Sequence, residues 1–124
     1  MNDTIWNICK NRSYVSEERI KQIHFYLIES IKTTPENYNL AEIGVLKGGT
    51  SKYIAKVVPD RQLYIFDTFK GLPKNFISPI DGDFTEETFS DTHIDEVSRY
   101  LSDCKNITIK EGDVPFKFNE LKNK

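Results

Sequence analysis

Leu40-Ala41-Glu42-Ile43-Gly44-Val45-Leu46-Lys47-Gly48-Gly49-Thr50-Ser51, followed shortly by Leu63-Tyr64-Ile65-Phe66-Asp67, is the stretch that decides the fold of this 124-residue chain. Its first part begins as a short apolar strand, expected over residues 40–45. It then breaks into a glycine-rich turn and continues as a helix over 50–58, stopped by Pro59-Asp60. The second part is an apolar strand over 63–67 that ends on a carboxylate. Two strands joined by a helical crossover run parallel with a right-handed connection, and a parallel sheet is expected to be covered on both faces. The turn also brings free N–H groups and the positive end of a helix to the end of the first strand, the arrangement of a nucleotide pocket.

Outward from this unit the chain remains mostly regular. Ser16 is an N-cap, Glu17 and Glu18 place negative charge in the first turn, and Val15 is placed to staple onto Ile20. Ile20, Ile23, Leu27, Ile28 and Ile31 follow at helical spacing as far as Thr33-Thr34-Pro35, with a stripe fit to pack on the sheet or on a partner subunit. Residues 1–14 form an N-terminal extension with no assigned element. Periodicity is lost over 68–91, where Phe69, Phe76 and Phe84 fit a lid over a pocket as well as they fit a plain surface loop. Thr92 caps a further helix carrying Ile94, Val97 and Leu101, and residues 106–110 make a third strand. The tail holds Gly112-Asp113, Pro115 and a short amphipathic piece around Phe116, Phe118 and Leu121.

Composition narrows the partners. A hydrophobic share of 38% is enough for a core, so one folded domain spanning 1–124 is expected. Lys+Arg 17 against Asp+Glu 19, without a long block of one sign, disfavours nucleic acid and anionic lipid as partners. No run of about eighteen apolar residues and no secretory leader occurs, so a cytoplasmic location is the default expectation. Cys9 and Cys104 have no metal-ligand spacing and read as reduced thiols, and His24 and His93 read as structural or surface groups. The acidic cluster Asp81, Asp83, Glu86 and Glu87 lacks the layout of a calcium loop and reads as a solvated loop.

The chemistry of the turn departs from a dinucleotide site. G-x-G-x-x-G is absent: Gly44 is followed by Gly48-Gly49, and a carboxylate, Glu42, stands two residues before the first glycine. A carboxylate aimed into the turn repels a pyrophosphate but attracts an ammonium or sulfonium group, which points away from NAD and toward S-adenosylmethionine. The glycines would let that ligand approach without meeting a Cβ, and Asp67 would take its ribose hydroxyls. Alternatives stay open at each position. Glu42 also fits a solvated strand-edge charge, Asp67 a turn cap, and Asp113 a turn former beside the place where an adenine amino group would arrive.

Ala41-Glu42-Ile43-Gly44-Val45-Leu46-Lys47-Gly48-Gly49-Thr50-Ser51, Tyr64 to Pro73, Phe89-Ser90-Asp91-Thr92 and Gly112-Asp113-Val114-Pro115 together resemble the macrocin-type O-methyltransferases of antibiotic sugar modification, from about Val15 onward. The resemblance implies an α/β fold of the class I methyltransferase type, Rossmann-like and here incomplete, with three parallel strands in the order 3-2-1. It implies S-adenosylmethionine as donor and a hydroxyl of a sugar or similar small molecule as acceptor. Glu42, Gly44 and Thr50 would line the methionine end of the donor, Asp67 the ribose, and Gly112 with Asp113 the adenine edge; Gly48, Gly49, Ser51 and Thr68 complete the donor-binding set. The family's magnesium ligands and catalytic aspartate lie on later, aspartate-rich strands, so no catalytic or metal residue carries over to this chain. The expectation is an N-terminal donor-binding half, inactive alone and self-associating through the exposed edge of its first strand. The alternative is a non-catalytic truncated remnant that binds the donor weakly or self-associates.

Overall fold

A computed structural model of the chain describes residues 1–45, 47–67 and 94–112. Leu46, Thr68, Asp113, the expected lid, the acidic cluster, the Thr92 cap, His93 and the tail around Phe116 lie outside the described residues. The elements run α1 (Asp3–Cys9), a 3₁₀ turn (Lys10–Arg12), α2 (Glu17–Thr33), β1 (Leu40–Ile43), α3 (Gly49–Val57), β2 (Leu63–Asp67), α4 (Ile94–Tyr100) and β3 (Ile107–Glu111). The three strands form one parallel sheet in the order β1-β2-β3, which is the expected 3-2-1 read from the other edge. Leu40 lies beside Leu63, Glu42 beside Ile65, and Ile65 beside Ile109.

Alternation along β2 sends Leu63 and Ile65 to one face, where they are buried with Val45, Ala55 of α3, Val97 of α4 and Leu101 just after it. Leu40, Ile107 and Ile109, half-buried on the neighbouring strands, extend the same layer. A second cluster forms on the outer side of α3, where Tyr53 packs with Trp6 and Cys9 of α1 and Ile20 of α2. Helix α3 is therefore a middle layer, apolar toward the sheet through Ala55 and toward α1 and α2 through Tyr53. His24 takes the structural role expected of it, its Nδ1 lying 2.8 Å from the Tyr53 hydroxyl.

The α2 start behaves as its sequence requires: the Ser16 hydroxyl accepts the Arg19 N–H at 3.1 Å, and Val15 joins Ile20 in one cluster. Its other end is held by Arg61, buried at 7% exposure, which donates to the carbonyls of Ile31 and Thr34 and to the Thr34 hydroxyl. A guanidinium on the last carbonyls satisfies acceptors that a helix cannot pair itself and complements its negative end. Asn106 does the same for α3, its side-chain amide reaching the carbonyls of Ala55, Val58 and Arg61.

The N-terminal extension, residues 1–14, carries α1: Asn2 caps it by accepting the Ile5 N–H, and Trp6 and Cys9 face inward. Two expectations change. The stripe of α2 enters the cluster around Tyr53 through Ile20 and Ile23 instead of the sheet layer. The first strand ends at Ile43 and is not covered on both faces, since Ala41 is exposed and Ile43 is 61% exposed. The exposure follows from what packs beside the strand, and its early end from the turn. Gly44, at φ +84°, gives its N–H to the Phe66 carbonyl and then leaves the ladder.

Candidate donor site

The site is built where β1 and β2 end and α3 begins, the place where open parallel sheets bind ligands. Gly44 turns the chain out of β1, and the next amide, Val45 N–H, donates to Asp67 Oδ2 at 2.7 Å. Asp67 reaches from the end of β2 to hold the start of the glycine turn; the alternative of a cap for Thr68-Phe69 lies outside the described residues. A carboxylate has about four lone-pair positions, so this bond orients the group without exhausting its capacity to accept. Gly48 then closes the turn, its N–H on the Val45 carbonyl at 3.1 Å, and serves at φ +90° as the N-cap of α3. Because glycine has no side chain to cap the helix, the first-turn N–H groups receive no side-chain bond from it.

Glu42, half-buried on β1, turns its side chain toward α3 and is not the fully solvated strand-edge charge of the alternative reading. Its carboxyl accepts the hydroxyl of Ser51, a residue with no exposed surface. Burial pushes the Glu42 carboxyl up to about 7; the Ser51 bond opposes that shift and the negative charge of Asp67 adds to it. Two carboxyl groups, one of them with its charged form penalised by burial, lie at the turn that leads into the positive end of α3. Such a place favours a ligand that carries positive charge at one end and hydroxyl donors at the other.

The glycines divide by what their missing side chains make room for. A Cβ on Gly44 would meet nothing within 4 Å, so this is the position where a ligand can lie on bare backbone. A Cβ on Gly49 would stand 2.5 to 2.6 Å from backbone atoms of Arg12 and Cys9, and one on Gly48 would crowd Tyr100 at 3.3 Å. Those two glycines make room for the protein's own chain. The Thr50 hydroxyl is bonded to Ser13 Oγ at 2.6 Å. Gly112, at φ +131°, adds its N–H to the Asp67 carbonyl at 2.9 Å and so lies at the C-terminal ends of β2 and β3 beside the site. Thr68 and Asp113 fall outside the described residues, so eight of the ten candidate positions are accounted for.

Several neighbours of the site carry no local signal in the sequence. Arg12 donates from Nε to the Lys47 carbonyl at 3.0 Å and from Nη1 to Glu96 at 2.9 Å, and lies 4.5 Å from the centre of the Tyr100 ring. Lys52, only 7% exposed, sits 3.8 Å from the centre of the same ring and pairs with Asp103 at 3.2 Å. Burial, with Cys9 adding to it, pushes the Tyr100 phenol up to about 12, so it stays neutral beside the two cations. These partners are far apart in sequence, and neither spacing nor composition reveals them. A cleft of about 720 Å³ opens at the opposite end of the sheet, lined by Asn39, Lys56, Arg61 and Asn106 among others. Among the described residues no group of three His, Cys, Asp or Glu side chains is placed to hold a metal ion, and no helix is long and apolar enough to cross a membrane.

No curated protein matches the chain. The family model described as Macrocin-O-methyltransferase (TylF) matches residues 9–103, which takes in the end of α1, the glycine turn, Asp67 and α4 and stops before Gly112. A match over that much of the chain, on a parallel sheet with an acidic glycine turn, shows that the chain belongs to the macrocin O-methyltransferase family.

Proposed function

We propose that this chain binds S-adenosylmethionine at the glycine turn and serves methyl transfer to a hydroxyl of a sugar or similar small molecule. The observation that carries the reading is that Asp67 and Glu42 hold the two ends of the stretch from the glycine turn to the first turn of α3, at Val45 and Ser51, beside the open backbone of Gly44. The residues fit the donor. Glu42 supplies negative charge for the methionine ammonium, and a cation there lowers the cost of ionising a carboxyl that burial keeps near 7. Asp67 supplies a fixed acceptor for ribose hydroxyls, Gly44 lets the ligand lie against the main chain, and Gly112 stands at the adenine edge. Thr68 and Asp113 join them by sequence position. When bound, the donor supplies an electrophilic methyl group; the task of these residues is to bind and orient it.

Magnesium, which belongs to the family pattern, has no ligand set among the described residues. The exposed outer strand β1, with Ile43 61% exposed, supports self-association of the chain along that edge.

Calorimetry with S-adenosylhomocysteine and with NAD tests the donor reading. S-adenosylhomocysteine, the donor after loss of its methyl group, is expected to bind more tightly than NAD, and Asp67→Ala to weaken it by about 1 to 3 kcal/mol, the loss expected when ligand hydroxyls and the turn lose a charged acceptor. Tighter binding of NAD would overturn the reading.

A further inference from the structure

We propose that Arg12 and Ser13 are positioning residues for donor binding: the segment that ends α1 is a brace that holds the glycine turn in its binding shape. The proposal rests on the donor-site reading above and concerns residues that do not themselves reach the ligand. Helix α3 begins on a glycine N-cap, which offers no side chain to fix the turn, and Gly48 is in the left-handed region. The orientation of the turn must therefore be set from outside.

Three contacts on nearly consecutive residues do so. Arg12 Nε donates to the Lys47 carbonyl, immediately before Gly48. The carbonyl oxygens of Cys9 and Arg12 occupy the place where a Cβ of Gly49 would stand. Ser13 Oγ, which accepts the Val15 N–H, is bonded to Thr50 Oγ1 in the first turn of α3. The brace is in turn clamped to the rest of the domain. Arg12 pairs with Glu96 of α4 and lies over the ring of Tyr100, which Lys52 of α3 also approaches, and the Asn2 N–H donates to the Tyr53 hydroxyl at 2.9 Å. A guanidinium suits this place because its planar fork donates in two directions while its face lies on a ring, and it stays charged at every working pH. Seating the segment and shaping the turn are thus one event, and a ligand that needs the shaped turn binds more weakly when the brace is loosened.

The test uses the full 124-residue chain, S-adenosylhomocysteine as the probe, and four variants: Arg12→Gln, Ser13→Ala, Ser13→Thr, and Asn106→Ala at the opposite end of the sheet as a control for general destabilisation. Affinity is measured by calorimetry at equal distance below each melting temperature, and amide exchange is followed at residues 48–51. Arg12→Gln and Ser13→Ala are expected to weaken the probe by about three- to tenfold, the range of one intramolecular hydrogen bond, and to speed exchange at those amides. Ser13→Thr restores affinity, and Asn106→Ala lowers the melting temperature but leaves affinity at the wild-type value. If the wild type binds and Arg12→Gln and Ser13→Ala bind equally well, or if Asn106→Ala weakens the probe as much as they do, the positioning role is refuted while the donor reading stands. A wild type that does not bind the probe overturns the donor reading, and the positioning role with it.

Discussion

Replacing Glu42 with Gln separates the stability of this domain from its use. In the folded chain the Glu42 carboxyl is raised from 4.5 to about 7, chiefly by burial. A group whose folded value lies above its unfolded value binds more protons in the native state across that interval, so stability declines as pH rises through it. At 1.36 kcal/mol per unit, the shift corresponds to roughly 3 kcal/mol once the pH is well above 7, and about 2 to 3 kcal/mol of that is lost between about pH 5 and about pH 8. Gln has nearly the same shape, still accepts from Ser51 and never ionises. The variant is therefore expected to match the wild type within about 1 kcal/mol at pH 5 and to exceed it by about 2 to 3 kcal/mol at pH 8. In a domain of this size that is a rise of very roughly 10 °C in melting temperature. The same variant should lose affinity for S-adenosylhomocysteine, since a neutral amide gives the amino acid end of the ligand no counter-charge. Thermal melts of both proteins across this pH range check the stability effect. Parallel pH dependences for wild type and Glu42→Gln would show that Glu42 is not the buried, titrating carboxyl described here.

Two other outcomes follow from packing. Gly49→Ala forces a methyl group to within 2.6 Å of the Arg12 and Cys9 backbones, so it should destabilise the chain by about 1 to 3 kcal/mol in urea titration even though alanine is the better helix former; a stabilised variant would refute the close docking of the 3₁₀ turn on α3. Ile43→Lys places a charge on the exposed edge of β1 and should shift sedimentation of the chain toward the monomer, whereas an unchanged oligomer distribution would rule this edge out as the contact.

Local chemistry made most of the fold readable in the sequence. Ser16 with Glu17 and Glu18 announces the start of α2, Pro59 the end of α3, and the apolar run before Asp67 the strand β2, because caps, breakers and periodicity act over a few residues. The acidic glycine turn was legible for the same reason: Glu42, Gly44 and the start of α3 follow one another directly along the chain. Tertiary structure decided the rest, since it depends on which surfaces meet. Only the packed chain shows that Gly49 is small to admit the Arg12 backbone, that Thr50 spends its hydroxyl on Ser13, and that Asp67 holds Val45 N–H. The expectation of cover on both faces of the first strand failed at Ile43 because strand burial is set by neighbours, which apolar composition does not specify. The bracing segment of residues 2–13 was unreadable because its partners, Lys47, Tyr53, Glu96 and Tyr100, are brought to it only by the closing of the α3 and α4 layer on the sheet.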